Sequence, residues 1–93
     1  MKLNLGCGSD YRKGYINTDI NTEKRIDMII DINKIPYNFQ NNTFDEVLLL
    51  NVLEYAIEPF KIMEEIYRIS KDEATIFINV PYKKSIIGRV AAL

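Results

Sequence analysis

The sequence predicts an α/β fold built on a parallel β-sheet, and three observations carry that expectation. A short apolar run, Leu3 to Leu5, breaks at Gly6-Cys7-Gly8; two β-rich runs each reach an aspartate, Asp19 and Asp31; and an apolar strand, an amphipathic helix and a β-branched strand succeed one another between Phe44 and Val80. The 93 residues have room for one core. No repeat and no linker-like stretch divides them, so residues 1–93 read as a single domain.

Leu3 to Leu5 is expected as the first strand, ending in a turn that glycine permits. Tyr15 to Ile20 and Ile26 to Ile32 are expected as strands two and three. Only Asn21 to Arg25 separate them, whereas a parallel crossover normally needs about a dozen residues. Either a bare loop crosses over without a helix, or the third strand is short and starts later. Pro36 and Gln40 to Thr43 read as loop, and the nearly unbroken apolar run Phe44 to Leu50 marks a strand covered on both faces. Pro59 suits a first helical turn. After it Ile62, Met63, Ile66 and Ile69 share one face, with Lys61, Glu64, Glu65 and Arg68 elsewhere. Lys71 to Glu73 is expected as a turn, and Ala74 to Val80 as strand five, stopped by Pro81. Strand four, helix and strand five form a right-handed βαβ unit, which places ligand chemistry at the carboxyl ends of the strands.

Composition excludes several function classes. Twelve Lys and Arg against thirteen Asp and Glu leave a net charge of -1 with no basic block, so nothing suggests nucleic acid or anionic lipid. Cys7 is the single cysteine, which excludes an intrachain disulfide and fits a reducing, cytoplasmic setting. The start of the chain is too short in apolar residues for a secretion signal, and no stretch approaches the ~20 apolar residues of a membrane span. Histidine is absent, which removes histidine bases and the usual zinc ligand sets, and no metal site is expected.

Gly6 to Gly8 can bring backbone N–H groups against a polar ligand. Tyr11 replaces the third glycine of a dinucleotide fingerprint, and the plainer reading is a tight turn. Asp19, at the end of strand two, is placed to accept hydrogen bonds from two vicinal ribose hydroxyls; its plainer reading is a solvated turn aspartate.

Taken in order, LNLGCG, GYINTDI, DMIIDINKIPY, FDEVLLLNVLEY, PFKIMEEIYRI and ATIFINVPY resemble the nucleoside-binding half of class I S-adenosylmethionine-dependent methyltransferases. The likeness is nearest to the type 11 group, in which a short "GY-I-N-x-D" segment follows the glycines, as at Gly14 to Asp19. It covers Leu3 to about Tyr82. The resemblance implies a Rossmann-like sheet and S-adenosyl-L-methionine as cofactor. It matches Gly6, Cys7 and Gly8 to the turn beside the methionine part, and Asp19 with Ile20 to the ribose. Asp31 and the Ile32 backbone match the adenine end, and Asn51 the methyl-transfer side. The sulfonium is already activated, so holding donor and acceptor in line suffices and no catalytic residue is assigned.

The sequence departs from the family at three places: Asn4 stands for an acidic residue before the glycines, Asp10 for a third glycine, and Tyr55 for a histidine found in many relatives. Glu54 and Tyr55 are expected as a helix-edge glutamate and a packing tyrosine, and Cys7 as a small buried filler. The family's closing antiparallel hairpin has no counterpart. Thr75 to Val80 would therefore present an unpaired apolar edge, explained by truncation, by a homodimer, or by a partner chain supplying the hairpin, with truncation preferred. Ser85 to Leu93 could start the next helix. Enzyme activity then depends on the missing part. The expected acceptor is a small or glycan-related molecule. Two rivals stand beside this reading: an NAD-binding domain, which the interrupted glycine pattern disfavours, and a non-catalytic module that pairs through the strand-five edge.

Overall fold

In the computed structural model, which describes residues 1–80, the strands are β1 (Lys2–Leu5), β2 (Ile16–Asp19), β3 (Met28–Ile29), β4 (Phe44–Leu50) and β5 (Ser70–Asn79). They form one sheet in the order β3-β2-β1-β4-β5, and every neighbouring pair is parallel. The expected α/β parallel sheet is therefore present. The readings at Pro81 and at residues 85–93 lie outside the described residues.

Leu3 pairs in register with Val47, and Leu3, Leu5, Val47 and Leu49 are fully buried. A single α-helix among the described residues, α1 (Pro59–Ile69), joins them in one core through Ile62, Ile66 and Ile69. Pro59 stands at the start of the helix, where its missing N–H costs nothing. At the other end the Ser70 hydroxyl donates to the Ile66 carbonyl at 2.6 Å. Each such buried aliphatic side chain contributes roughly 1.5–3 kcal/mol.

Glu65 departs from the expected outward face of this helix. It is buried because Arg68, one turn on, donates to both of its carboxylate oxygens at 2.8 and 2.7 Å, while the Tyr37 N–H donates to it at 2.5 Å. The Arg68 hydrogen bonds hold the Glu65 carboxyl below its ordinary range. Arg68 also donates to the carbonyls of Tyr37 and Phe39. The Tyr37 hydroxyl, whose ionisation burial pushes well up, in turn donates to the Ile32 carbonyl at 2.8 Å. The helix thereby fixes the chain just beyond β3.

Two further elements differ from the sequence reading. The third strand is two residues long, not Ile26 to Ile32. Asp27 is drawn off by Asn17, whose N–H donates to the Asp27 carboxylate at 2.8 Å, and Asp31 already opens a turn closed by the Lys34 N–H. A short, late β3 and a helix-free link after β2 thus resolve the crowded connection. Lys71 to Glu73 is not a turn between helix and strand but a bulge inside β5. Phe44 pairs with Ser70 and Glu46 with Thr75, so three extra residues loop out, and Glu73 takes a left-handed φ of 65°. The described residues leave β5 at the sheet edge with Phe77 and Ile78 about half exposed.

The link between β1 and β2 also lacks a helix. Buried Asn4 and Asn17 pin it instead: Asn4 Nδ2 donates to the Asp10 carbonyl and to Asn17 Oδ1, and Asn17 exchanges hydrogen bonds with the Arg12 backbone in both directions. Satisfied in this way, two buried amides hold a loop that apolar packing would not. The glycine turn is delivered to the sheet's carboxyl rim as a result.

Candidate functional site

The ends of β1, β2 and β4 and the loop after β3 meet along one rim. Gly6 and Gly8 both take left-handed φ, 68° and 55°. At Gly6 a Cβ would come within 2.3 Å of Val52 Cγ2, whereas at Gly8 it would meet nothing within 4 Å. The first glycine is required by packing against the chain after β4, and the second leaves open space. Cys7 N–H donates to the Thr18 carbonyl at 2.8 Å, carrying the β1–β2 pairing into the turn.

The turn is tied to the acid at the end of β2. Gly8 N–H donates to Asp19 Oδ2 and Asn21 N–H to Asp19 Oδ1, both at 2.8 Å. A carboxylate offers about four lone-pair sites, so two remain for a ligand's donors. Asp31 accepts the Asn33 N–H on Oδ1 at 2.9 Å, and its Oδ2 has no donor among the described residues. The Ile32 N–H likewise meets no acceptor among them. Asn51 leaves β4 in the left-handed region with φ 56°, and its N–H donates to the Asn79 carbonyl at 2.7 Å. Asparagine tolerates that conformation better than most residues, and the turn it makes ends β4 at the cleft.

These groups enclose a cleft with two lobes, each of about 470 Å³. Gly6, Gly8, Asp19, Ile20, Asp31, Ile32 and Asn51 line the first; Cys7 lines only the second, beside Ser9 and Asp10, and the lobes share Gly6, Gly8 and Asn51. All eight residues singled out in the sequence are thus brought together. Among the described residues the lining carries Asp10, which the Arg12 guanidinium pairs at 2.9 Å, Asp19 and Asp31, and no lysine or arginine. Such a cleft favours a neutral or cationic ligand over a phosphate-bearing one.

Other sequence landmarks fall differently. Cys7 is buried, and burial followed by the Asp19 charge pushes its thiol up, which fits a small buried filler. Asn4 and Glu54 line neither lobe. Tyr55 is not a packing tyrosine: it is 70% exposed and walls the first lobe, because the 3-10 turn Leu53–Tyr55 carries it out over the cleft. Ile30, Asn33 and Val52 line the same lobe without having been singled out. Asn33 alone left a signal, since an Asp-x-Asn stretch after a strand favours side-chain-to-backbone turns. A larger groove of about 760 Å³ lies between α1 and the start of β5, and none of the eight residues reaches it.

Comparison with known proteins agrees with this geometry. The family model described as "Methyltransferase domain" matches residues 3–78. An uncharacterized protein of Methanocaldococcus jannaschii is 33% identical over 98 aligned positions, covering 94% of this chain and 43% of that protein. Among solved structures, the one described as "Complex between the Haloferax volcanii Trm112 methyltransferase activator and the putative methyltransferase" contains a chain that matches with a TM-score of 0.57 and 26% identity. That match covers 75% of this chain and 40% of the other. The chain therefore spans about two fifths of the length of these relatives. With a glycine turn on β1, an acid ending β2 and a parallel 3-2-1-4-5 sheet beneath them, the chain belongs to the methyltransferase domain family of type 11 and has the class I S-adenosylmethionine-dependent fold.

Proposed function

We propose that this chain is the S-adenosylmethionine-binding part of a cytoplasmic methyltransferase that acts on a small-molecule or glycan-related acceptor. The observation that supports this most is the lining of the first lobe: the Asp19 and Asp31 carboxylates meet the glycine turn there, and among the described residues no lysine or arginine lines it. The pyrophosphate of NAD would face those carboxylates without a partner, whereas a sulfonium and an ammonium group suit them. When bound, S-adenosylmethionine supplies a methyl group already activated on sulfur. The chain's own residues then bind, orient and exclude water. Asp19 would take the ribose hydroxyls on its free lone pairs, Asp31 Oδ2 and the Ile32 N–H the adenine edge, and Gly6 to Gly8 with Asn51 the methionine side. Acceptor recognition is assigned to the part of its relatives that this chain does not span.

Calorimetric titration tests the reading. S-Adenosylmethionine and S-adenosylhomocysteine are expected to bind and NAD to give no saturable heat. Saturable NAD binding with no adenosyl-ligand signal would reject it.

A partner chain is the second element of the proposal. The methyltransferase whose structure matches here was solved with an activator protein, and β5 offers an apolar edge with Phe77 and Ile78 about half exposed among the described residues. Pairing between copies through this edge predicts, in sedimentation velocity over a range of concentrations, self-association that a Phe77→Lys substitution abolishes. A strict monomer at every concentration contradicts pairing between copies through this edge.

A further inference from the structure

Tyr55 walls the first lobe on a stretch of chain whose Leu53 and Ala56 pack on the core while the residues between and beyond them turn outward. Tyr55 and Ile57 are 70% and 79% exposed. The 3-10 turn supplies the hydrogen bonds of the Tyr55 and Ala56 N–H groups, to the Val52 and Leu53 carbonyls. Beyond the turn, among the described residues, one side chain grips this backbone. Asn33 Nδ2 donates to the Tyr55 carbonyl at 3.1 Å, and Asn33 Oδ1 accepts the Ile57 N–H at 2.9 Å. Both ends of a single amide therefore bracket Ala56. Asn33 is itself fixed from the cleft, because its N–H donates to Asp31 Oδ1 at 2.9 Å. Asp31, Asn33 and Tyr55 all line the same lobe.

We propose that Asn33 is a positioning residue of this site: by clamping Tyr55 to Ile57 it holds the Tyr55 ring as a wall against a bound adenosyl ligand. The inference rests on the reading of the cleft as an S-adenosylmethionine site. A tyrosine is suited to the task, since it presents a rigid apolar face of large area for little conformational entropy. Its exposed backbone would otherwise exchange those two hydrogen bonds with water and let the ring swing away.

The test is titration of S-adenosylhomocysteine into the wild-type chain, Asn33→Ala, Tyr55→Ala and the double variant, with thermal unfolding of each. Losing two solvent-accessible hydrogen bonds, or the ring they hold, is expected to weaken binding about fivefold in either single variant. The double variant is expected to bind no more weakly than Tyr55→Ala, because the clamp then has nothing left to position. Asn33→Asp keeps the acceptor for Ile57 and loses the donor to Tyr55, so an intermediate loss is expected, and it carries the test should Asn33→Ala fail to fold. Unchanged affinity in Asn33→Ala, or single effects that multiply in the double variant, overturns the clamp while leaving the cofactor reading standing. Absence of binding to the wild-type chain overturns both.

Discussion

Gly6→Ala is expected to destabilise the chain by about 2–4 kcal/mol, the sum of a left-handed backbone penalty for a residue with a Cβ and of overpacking in a filled site. The added methyl would stand 2.3 Å from Val52 Cγ2 and 3.0 Å from Val52 Cβ. Val52 is 6% exposed and belongs to the core, and a β-branched side chain has few rotamers in which to retreat. Gly8→Ala pays only the backbone penalty, of about 1 kcal/mol, because nothing lies within 4 Å of its added methyl. That methyl projects into open cleft, so Gly8→Ala is expected to stay folded and lose ligand affinity. Thermal unfolding separates the two, at roughly 4–8 °C per kcal/mol for a domain of this size. Equal melting temperatures for the two variants would contradict the distinct roles of the glycines.

Asp19→Ala is expected to weaken S-adenosylhomocysteine binding by at least about a hundredfold. Two hydrogen bonds from ribose hydroxyls to a carboxylate would be lost, each contributing roughly 1.5–3 kcal/mol, and about 1.4 kcal/mol is a factor of ten. The substitution also strips the acceptor from the Gly8 and Asn21 N–H groups, both held at 2.8 Å, so the glycine turn loses its tie to β2. Asp19→Asn retains one carbonyl oxygen but replaces the other by a donor that faces an N–H. A loss of about tenfold is expected for it, between wild type and alanine. Calorimetric titration of the three proteins reads the series directly, and an alanine variant that binds like wild type removes Asp19 from the site.

The sheet and the rim were legible in the sequence because each has a local signature. Val47 to Leu49 are consecutive apolar residues buried on both faces, Pro59 opens a helix whose Ile62, Ile66 and Ile69 recur on one side, and polar residues stand at the carboxyl ends of the parallel strands. The failures come from partners distant in sequence or from long-range register. Glu65 reads as a surface residue until Tyr37, from the loop before β4, brings its N–H to the carboxylate beside Arg68. Asp27 reads as part of a strand until Asn17 claims its side chain. Lys71 to Glu73 reads as a turn, and only the pairing of β4 with β5 on both sides of it makes it a bulge. Tyr55 looks like a packing aromatic because nothing in its neighbours announces that a 3-10 turn will carry it outward.

The most direct measurement is an amide chemical-shift titration of the isotope-labelled chain with S-adenosylhomocysteine. Saturable changes are expected at Gly8, Ile20, Ile32 and Asn51, the four sides of the cleft. Changes confined to the groove beside Met63, Lys71 and Ala74, with the glycine rim unmoved, would show that the adenosyl ligand binds elsewhere and would contradict the assignment of the cleft.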